Sequence, residues 1–183
     1  MKKLKQLLPI LFLLSLAVQS QNKASVEKSI YGIQTGILGV WGYNESKLTN
    51  SIALRSEIGL DAGFRGGSNI NTVFVLTPTI TIEPRFYYNL KKRSKKGKSI
   101  LKNSANFLTL EFFYVPNLFV ISNTRNVSVA NSLSIIPKWG IKRTIGKHFT
   151  YELGLGIGYY IDLDDSRFND TVADLHIRFG YTF

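Results

Sequence analysis

Eleven ionised residues are spaced so that they fall on one face of a series of predicted strands. In an extended strand, successive side chains point to opposite faces, so residues of one parity share a face. Segment after segment, the charged residues take one parity and the apolar residues take the other. The charged face collects Arg55, Arg85, Lys138, Lys142, Arg178, Glu57, Asp61, Glu83, Glu111, Glu152 and Asp174. Buried ions are costly unless they are paired, so this near-balanced set predicts salt bridges that fill a narrow interior.

The two histidines are the other residues with evident chemical potential. His148, Thr150 and Glu152 stand at alternate positions, which places an imidazole, a hydroxyl and a carboxylate on one strand face. Both this face and the face that carries His176 are the charged faces of their predicted strands. A histidine between charges is more typical of an ion network than of a catalytic base. Two histidines without a convincing carboxylate partner do not predict a metal site. We therefore predict no enzyme, no metal and no cofactor.

Seven segments alternate strongly enough to predict the strands that hold these charges. All of them exceed ten residues and they are joined by turn-rich connections, which predicts an antiparallel up-and-down meander. The last segment alternates without a break, and its apolar face ends in Phe179, Tyr181 and Phe183. The segments are 29–43, 51–64, 72–90, 106–121, 127–142, 148–161 and 172–183.

The N-terminal residues 1–20 have the pattern of a cleaved secretory signal peptide. Lys2, Lys3 and Lys5 precede an apolar run over 7–18, and small residues stand before a cleavage site predicted after Ser20. That run is shorter than the roughly 20 residues of a membrane-spanning helix. The mature chain, 21–183, is predicted to be one domain. It has no cysteine, and a closed barrel would stabilise it by pairing every backbone group around the ring.

Parity alone does not say whether the apolar face meets a core or lipid. The long strands, the predicted signal peptide and the aromatic residues at strand ends favour a membrane barrel, with apolar residues towards lipid and charges towards the lumen. Those aromatic residues are Trp41, Tyr43, Tyr87, Tyr88, Tyr159, Tyr160 and Tyr181.

The mature chain resembles the small eight-stranded outer-membrane barrels of the OmpA/OmpX kind. It resembles more closely the uncharacterised small barrel proteins of Bacteroidetes-type outer membranes, through segments 83–89 (EPRFYYN), 103–107 (NSANF) and 146–149 (GKHF). The resemblance implies an all-β, antiparallel, up-and-down transmembrane barrel of about eight strands in the outer membrane of a Gram-negative bacterium. It also implies contact with outer-membrane lipid, and that Phe179, Tyr181 and Phe183 form the signal read by the barrel-assembly machinery.

Seven segments do not satisfy the even strand number of bacterial single-chain barrels. The eighth strand is predicted to come from a break near Pro116 within 106–121, or from a break near Pro78 within 72–90. The first alternative puts the segment 91–102 outside the cell, and the second puts it on the periplasmic side.

That segment, 91–102 (KKRSKKGKSILK), carries seven positive charges of a chain whose formal net charge is +11. The charge is local, so we expect no nucleic-acid partner. On the cell surface, the segment would contact lipopolysaccharide phosphates; on the periplasmic side, it would be a solvated turn or would contact polymers of the peptidoglycan layer. The candidate phosphate contacts are Lys91, Lys92, Arg93, Lys95, Lys96 and Lys98.

The function that we predict is a structural or surface-interaction role, with the lumen closed by charges. An eight-stranded interior is just wide enough for side chains, which excludes large solutes. Room beside Gly154, Gly156 and Gly158 is predicted to be filled by long side chains from neighbouring strands, such as Arg178. The alternatives are a small, weakly conducting porin-like channel, in which an ion pair rearranges to open a path, and then a lipid A-modifying enzyme. A soluble periplasmic β-protein is a further alternative.

Overall fold

A computed structural model of the chain describes residues 24–67 and 70–183. The predicted signal peptide, 1–20, lies outside the described residues. The strands are β1 (Ser29–Gly36), β2 (Gly39–Lys47), β3 (Ile52–Gly67), β4 (Ile70–Phe86), β5 (Asn106–Val115), β6 (Ile121–Ser122), β7 (Ser132–Ile145), β8 (Phe149–Asp162) and β9 (Asp170–Thr182). One α-helix, α1 (Leu90–Lys95), and two 3₁₀ turns, Leu101–Asn103 and Ser166–Phe168, lie between strands. None of the helices described is long and apolar enough to cross a membrane.

The eight long strands form a closed antiparallel barrel. Each pairs with the next long strand along the chain, and β1 pairs with β9 to close the ring. The two-residue strand β6 adds only a short pairing to β4, where Ser122 is opposite Val75. The all-β, antiparallel, up-and-down architecture with eight strands is therefore confirmed.

The eighth strand comes from neither predicted break. Segment 29–43 is a hairpin, in which Gly36 is paired with Gly39 across the two-residue turn Ile37–Leu38. Pro78 lies inside β4, opposite Leu60, and Pro116 follows the end of β5. Both alternatives were wrong because a two-residue turn reverses the chain without a long polar loop to mark it.

The same turn also reverses the parity of the residues that follow it. In a hairpin, directly paired residues share a face, and Gln34 is opposite Trp41. Trp41 and Tyr43 are consequently buried inside the barrel. Their predicted placement at the outer ends of strands was wrong.

The barrel is apolar outside and ionised inside. Large apolar side chains point outward along every long strand, and Leu175 and Ile157 are 79% and 67% exposed. The opposite parity points inward, so that Arg55, Glu83 and Glu152 are fully buried. A soluble β-sandwich has the reverse distribution, with its apolar residues in the core.

The start of β1 and the end of β9 meet at one end of the barrel, called the terminal rim below. This rim also carries the β2–β3 and β7–β8 turns and the connection 87–105 between β4 and β5. The basic segment 91–102 therefore lies at the terminal rim, where the Lys102 Nζ donates to the Phe183 carbonyl oxygen. The opposite rim carries the β1–β2 turn, the connection 116–131 and the loop 163–169.

An apolar cluster closes the terminal rim. The connection 87–105 folds across this end, and its residues pack against Val26, which precedes β1, and against residues near the starts of β3 and β5. The cluster comprises Val26, Ala53, Tyr87, Leu90, Ala105 and Phe107, with Ile100 packed against it. Two non-glycine residues in this connection, Lys102 and Asn103, have φ angles of 51° and 60°, a left-handed turn that points the Asn103 side chain into the barrel.

Candidate functional site: the ionised barrel interior

Glu45 is the centre of the ion network in the terminal half of the interior. Its carboxylate accepts hydrogen bonds from Lys142 Nζ at 2.6 Å, Asn103 Nδ2 at 2.8 Å and the Tyr87 hydroxyl at 2.9 Å. The Arg55 guanidinium is 3.3 Å away. Burial and the adjacent Glu45 carboxylate raise the pKa of the Tyr87 hydroxyl well above its ordinary range, so this hydroxyl remains a donor.

Arg85 is held by two carboxylates beside this centre. Its terminal nitrogens donate to both oxygens of Glu152, at 2.7 and 2.9 Å, which is the planar two-bond geometry that arginine favours. Its Nε donates to Glu83 at 2.6 Å. The Phe107 ring lies 4.3 Å from the guanidinium carbon, so the apolar cluster contacts the ion network directly.

A second group of ions lies across the interior. Arg178 donates to both oxygens of Glu57, at 2.9 and 3.0 Å. Arg55 donates to the same carboxylate through Nε at 3.0 Å and to the Gln34 amide oxygen at 2.6 Å. The Trp41 ring lies 4.1 Å from the Arg178 guanidinium, and the Tyr43 ring lies 3.9 Å from that of Arg55. Both inward aromatic residues of β2 therefore contact a cation directly.

The half of the interior nearer the opposite rim is partly solvated. Lys138 bridges Glu111 at 2.7 Å and Asp174 at 2.8 Å. The His176 Nδ1 lies 3.1 Å from Asp174, and its Nε2 lies 3.4 Å from Glu152. The Asp174 side chain is 25% exposed, so water reaches this part of the network.

Ten of the eleven predicted interior residues take part in ion pairs, and Asp61 does not. Asp61 instead accepts hydrogen bonds from Trp41 Nε1 at 2.9 Å and from the Thr79 hydroxyl at 2.7 Å. It lines a cavity of about 130 Å³ beside the β1–β2 turn, together with His176 and Arg178.

The sequence interpretation missed Glu45, because it ended the first segment at Tyr43. The signal for Glu45 was available: in a hairpin over 29–47, Glu45 takes the same parity as Trp41 and Tyr43. With Glu45 added, the interior residues of this network and Asp61 beside it comprise seven carboxylates and five cations.

The room beside the three glycines of β8 is filled, but not by Arg178. Gly154 is directly opposite His176 in the register, and the imidazole occupies the space of its missing side chain. Lys138 does the same for Gly156, while backbone atoms of Ile135 and Ile136 crowd Gly158. The prediction that Arg178 fills this space was wrong. The residue directly opposite each of Gly154 and Gly156 on the neighbouring strand fills it, and Arg178 instead extends to Glu57.

His148 does not join Glu152 on the interior face. It lies exposed in the β7–β8 turn, where its Nδ1 is 2.9 Å from the Thr182 carbonyl oxygen and its ring stacks on Tyr181. Its predicted lumen position was wrong, because the strand β8 begins one residue later, at Phe149. Within the described ranges, no three His, Cys, Asp or Glu residues are placed to hold a metal ion.

The aromatic residues of the predicted assembly signal point outward at the terminal rim. Phe179, Tyr181 and Phe183 are exposed, and Tyr181 contacts Phe183 edge-on, with ring centroids 5.5 Å apart. Phe149 contacts the same tyrosine at the same distance. Recognition by an assembly machinery stays a prediction.

The predicted phosphate contacts divide into two groups. Lys92, Arg93, Lys96 and Lys98 line a pocket of about 400 Å³ at the terminal rim, whereas Lys91 and Lys95 are exposed and do not line it. Arg143 of β7 lines the same pocket. The sequence interpretation missed Arg143, because it lies outside the basic segment and stands at a position of β7 that faces outward, among apolar residues.

Comparison with known proteins gives no further identification. No protein-family model matches the chain, and no curated protein and no solved structure matches it. The assignment of a function therefore depends on the geometry of the barrel itself.

Proposed function

We propose that this protein is an integral outer-membrane β-barrel whose interior is closed by ion pairs, with a structural or surface-interaction role. The observation that carries this proposal is the inverted distribution of side chains, apolar outside and ionised inside. Monomeric soluble proteins rarely expose contiguous apolar surface of more than a few hundred Å². Here the apolar surface continues around all eight long strands, and a lipid environment is the one that suits it.

Six of the eight long strands have 10 or more residues, which is long enough for this environment. β8 has 14 residues, which at about 3.3 Å per residue and a tilt of roughly 40° rise about 35 Å. The hydrocarbon band of an outer-membrane barrel is about 25 Å tall. Closure through the β1–β9 pairing also leaves no long strand with an unpaired edge facing lipid.

A closed interior favours the structural role over a conducting one. The apolar cluster seals the terminal rim, and Glu45, Arg55, Arg85, Lys142 and Glu152 are completely buried beneath it. Ions held by several partners leave no continuous water path at this level. A role at the cell surface would then belong to the opposite rim, with the terminal rim facing the periplasm.

That orientation bears on the basic segment. Lysines at a periplasmic rim do not reach the lipopolysaccharide phosphates of the outer leaflet, so a contact between the two is not part of this proposal. Selective biotinylation of intact cells tests the orientation. Labelling of Lys91 or Lys95 without permeabilisation would show that the terminal rim faces the outside of the cell, which is the reverse of the proposed orientation.

Fractionation after expression of the full chain in a Gram-negative host tests the location. We expect the protein in the outer-membrane pellet, resistant to urea extraction, and with a gel mobility that changes on heating, as a folded barrel shows. Recovery of folded protein in the soluble periplasmic fraction would refute the proposal.

Planar-bilayer recording tests the closed interior. We expect no sustained conductance from the wild type, and conductance from the double variant Leu90→Ala/Phe107→Ala, which opens the apolar cluster. Trp41→Ala, at the opposite end of the interior, is the control. It should show no sustained conductance, because the terminal rim remains sealed. Sustained wild-type conductance would favour the channel.

A further inference from the structure

We propose that the basic pocket at the terminal rim binds the phosphate-bearing headgroup of an anionic phospholipid. The pocket, of about 400 Å³, is lined by Lys92, Arg93, Lys96, Lys98, Arg143 and Tyr88. This inference rests on the proposed membrane location, because it requires the rim to lie at a lipid headgroup layer. It goes further by assigning a ligand class to a site distinct from the barrel interior.

The charge of the pocket is not neutralised by the protein. Five of its lining residues are cations and none is an acid. The guanidinium groups of Arg93 and Arg143 are held by neutral acceptors, the Ser99 carbonyl oxygen at 2.9 Å and the Asn106 side-chain oxygen at 2.6 Å. Like charges brought together in this way repel one another unless an anion joins them.

Arg143 connects this pocket to the apolar outer face. Among the residues of the eight long strands whose side chains the structure describes, it is the only ionised one on the outward face. Its neighbours on that face of β7 are Ile141 and Ile145, and the half-buried guanidinium lies at the rim. The pocket therefore opens at the border between the apolar band and water, where a phospholipid phosphate lies.

Aromatic residues mark the same border. The Trp139 Nε1 donates to the Tyr88 hydroxyl at 2.9 Å, and Tyr88 also lines the pocket. Indole and phenol side chains favour the membrane interface, because their rings are apolar and their polar groups meet water. A free phosphate ion would use the cations alone, whereas a lipid would also place its acyl chains along Trp139 and Ile141.

Native mass spectrometry of the folded protein in neutral detergent tests the pocket. Phosphatidylglycerol and phosphatidylcholine are titrated separately, since they differ in net charge and share their acyl chains. We expect phosphatidylglycerol to bind at least about tenfold more tightly, given that each basic residue near an anionic lipid adds measurable attraction. Equal binding of both lipids would overturn the proposal.

Two variants of equal charge separate the pocket from general basicity. Lys92→Gln/Lys96→Gln/Arg143→Gln removes three pocket cations and should lower phosphatidylglycerol affinity about tenfold or more. Lys91→Gln/Lys95→Gln/Lys147→Gln removes three exposed cations of the same rim that do not line the pocket, and should retain wild-type affinity within about twofold. Equal losses of phosphatidylglycerol affinity in the two variants would show that the lipid is attracted by the general positive charge of the rim. This result would overturn the proposal of a specific pocket.

Inorganic phosphate distinguishes the two sources of the ligand chemistry. Millimolar phosphate should displace little phosphatidylglycerol, since the lipid adds acyl contacts; complete displacement would assign the pocket to a free anion. The assay also separates this inference from the proposed function. Selective lipid binding by a protein that never fractionates with membranes would refute only the proposed membrane location. Membrane insertion without lipid selectivity would refute only the proposed phospholipid-binding pocket.

Discussion

In the terminal half of the interior, Glu45 and Arg85 are completely buried and each contacts two or more ionised partners. In the half nearer the opposite rim, Asp174 is 25% exposed, and Asp61 has hydrogen bonds but no ion pair. Water reaches the second half and not the first. The difference teaches that the completely buried Glu45 is stabilised by four protein donors, whereas the partly solvated Asp174 and the hydrogen-bonded Asp61 are stable with two each.

The two halves also differ in what closes them. The apolar cluster packs directly against the terminal ion pairs, with the Phe107 ring against Arg85. The other half has a cavity of about 130 Å³ lined by Trp41 and His176. A closely packed region transmits any change of volume to its neighbours, and a region beside a cavity can relax. Substitutions in the terminal half should therefore have the larger effects.

The largest effect is expected for Glu45→Gln. This change keeps the size of the side chain but leaves Lys142 without a counter-charge in a dry environment. It also removes one of the two carboxylates that contact Arg55, which keeps Glu57. Loss of one partner of a buried ion pair costs about 3–5 kcal/mol. The free energy of unfolding, measured by urea titration in lipid vesicles with tryptophan fluorescence, should fall by that amount.

Asp174→Asn is the matched control for that change. It removes one carboxylate from Lys138 but leaves Glu111 in contact, at a site that water reaches. We expect a loss of about 1 kcal/mol or less. Equal losses for Asp174→Asn and Glu45→Gln would break the comparison, since burial would then not decide the cost.

The next largest effect is expected for Gly140→Ala. Gly140 and Gly154 are register partners on β7 and β8, but the first faces the Phe107 ring and the second faces the His176 ring. Phe107 is fully buried and has no room to move, so overpacking should cost about 1–3 kcal/mol. Gly154→Ala should cost less, because the His176 imidazole borders the cavity and can move into it. Comparison of the urea midpoints of the two variants measures the difference.

The interior could be predicted largely from strand parity. Arg55, Glu83 and Glu152 lie inward because one residue in two faces the lumen, and this rule needs no knowledge of long-range packing. The same rule failed across Ile37–Leu38, where an apolar two-residue turn reversed parity unnoticed. That single error hid Glu45 and placed Trp41 on the wrong face.

Other features depend on contacts between distant parts of the chain. The connection 87–105 closes the terminal rim because Asn103 reaches Glu45 and Leu90 packs with Val26; neither pairing leaves a local pattern. Arg143 joins the basic segment only because β7 and the connection meet at one rim. A periodic pattern gives the face of a residue, but not the neighbour that fills the space in front of it.

A smaller effect is expected at the seam where the barrel closes. The Tyr43 hydroxyl is 2.9 Å from the Thr182 hydroxyl, which links β2 to β9 across β1. Tyr43→Phe keeps the ring under Arg55 but removes this buried hydrogen bond, at a cost of about 1 kcal/mol. Urea titration measures it, and Thr182→Val should not add to it, because both changes remove the same bond. Additive losses would mean that each hydroxyl acts independently.

The smallest effect is expected for Asp165→Asn, in the loop at the opposite rim. Its pair with Arg167 spans two residues, as the pair of Arg55 and Glu57 does, but Arg167 is 84% exposed. The Arg167 guanidinium lowers the pKa of Asp165, so any stabilisation exists above the ordinary pKa of aspartate and disappears as the pH falls. Solvent screens such a pair, and we expect no measurable change in the urea midpoint at neutral pH. A shift comparable with that of Glu45→Gln would show that geometry, rather than removal from water, sets the strength of these ion pairs.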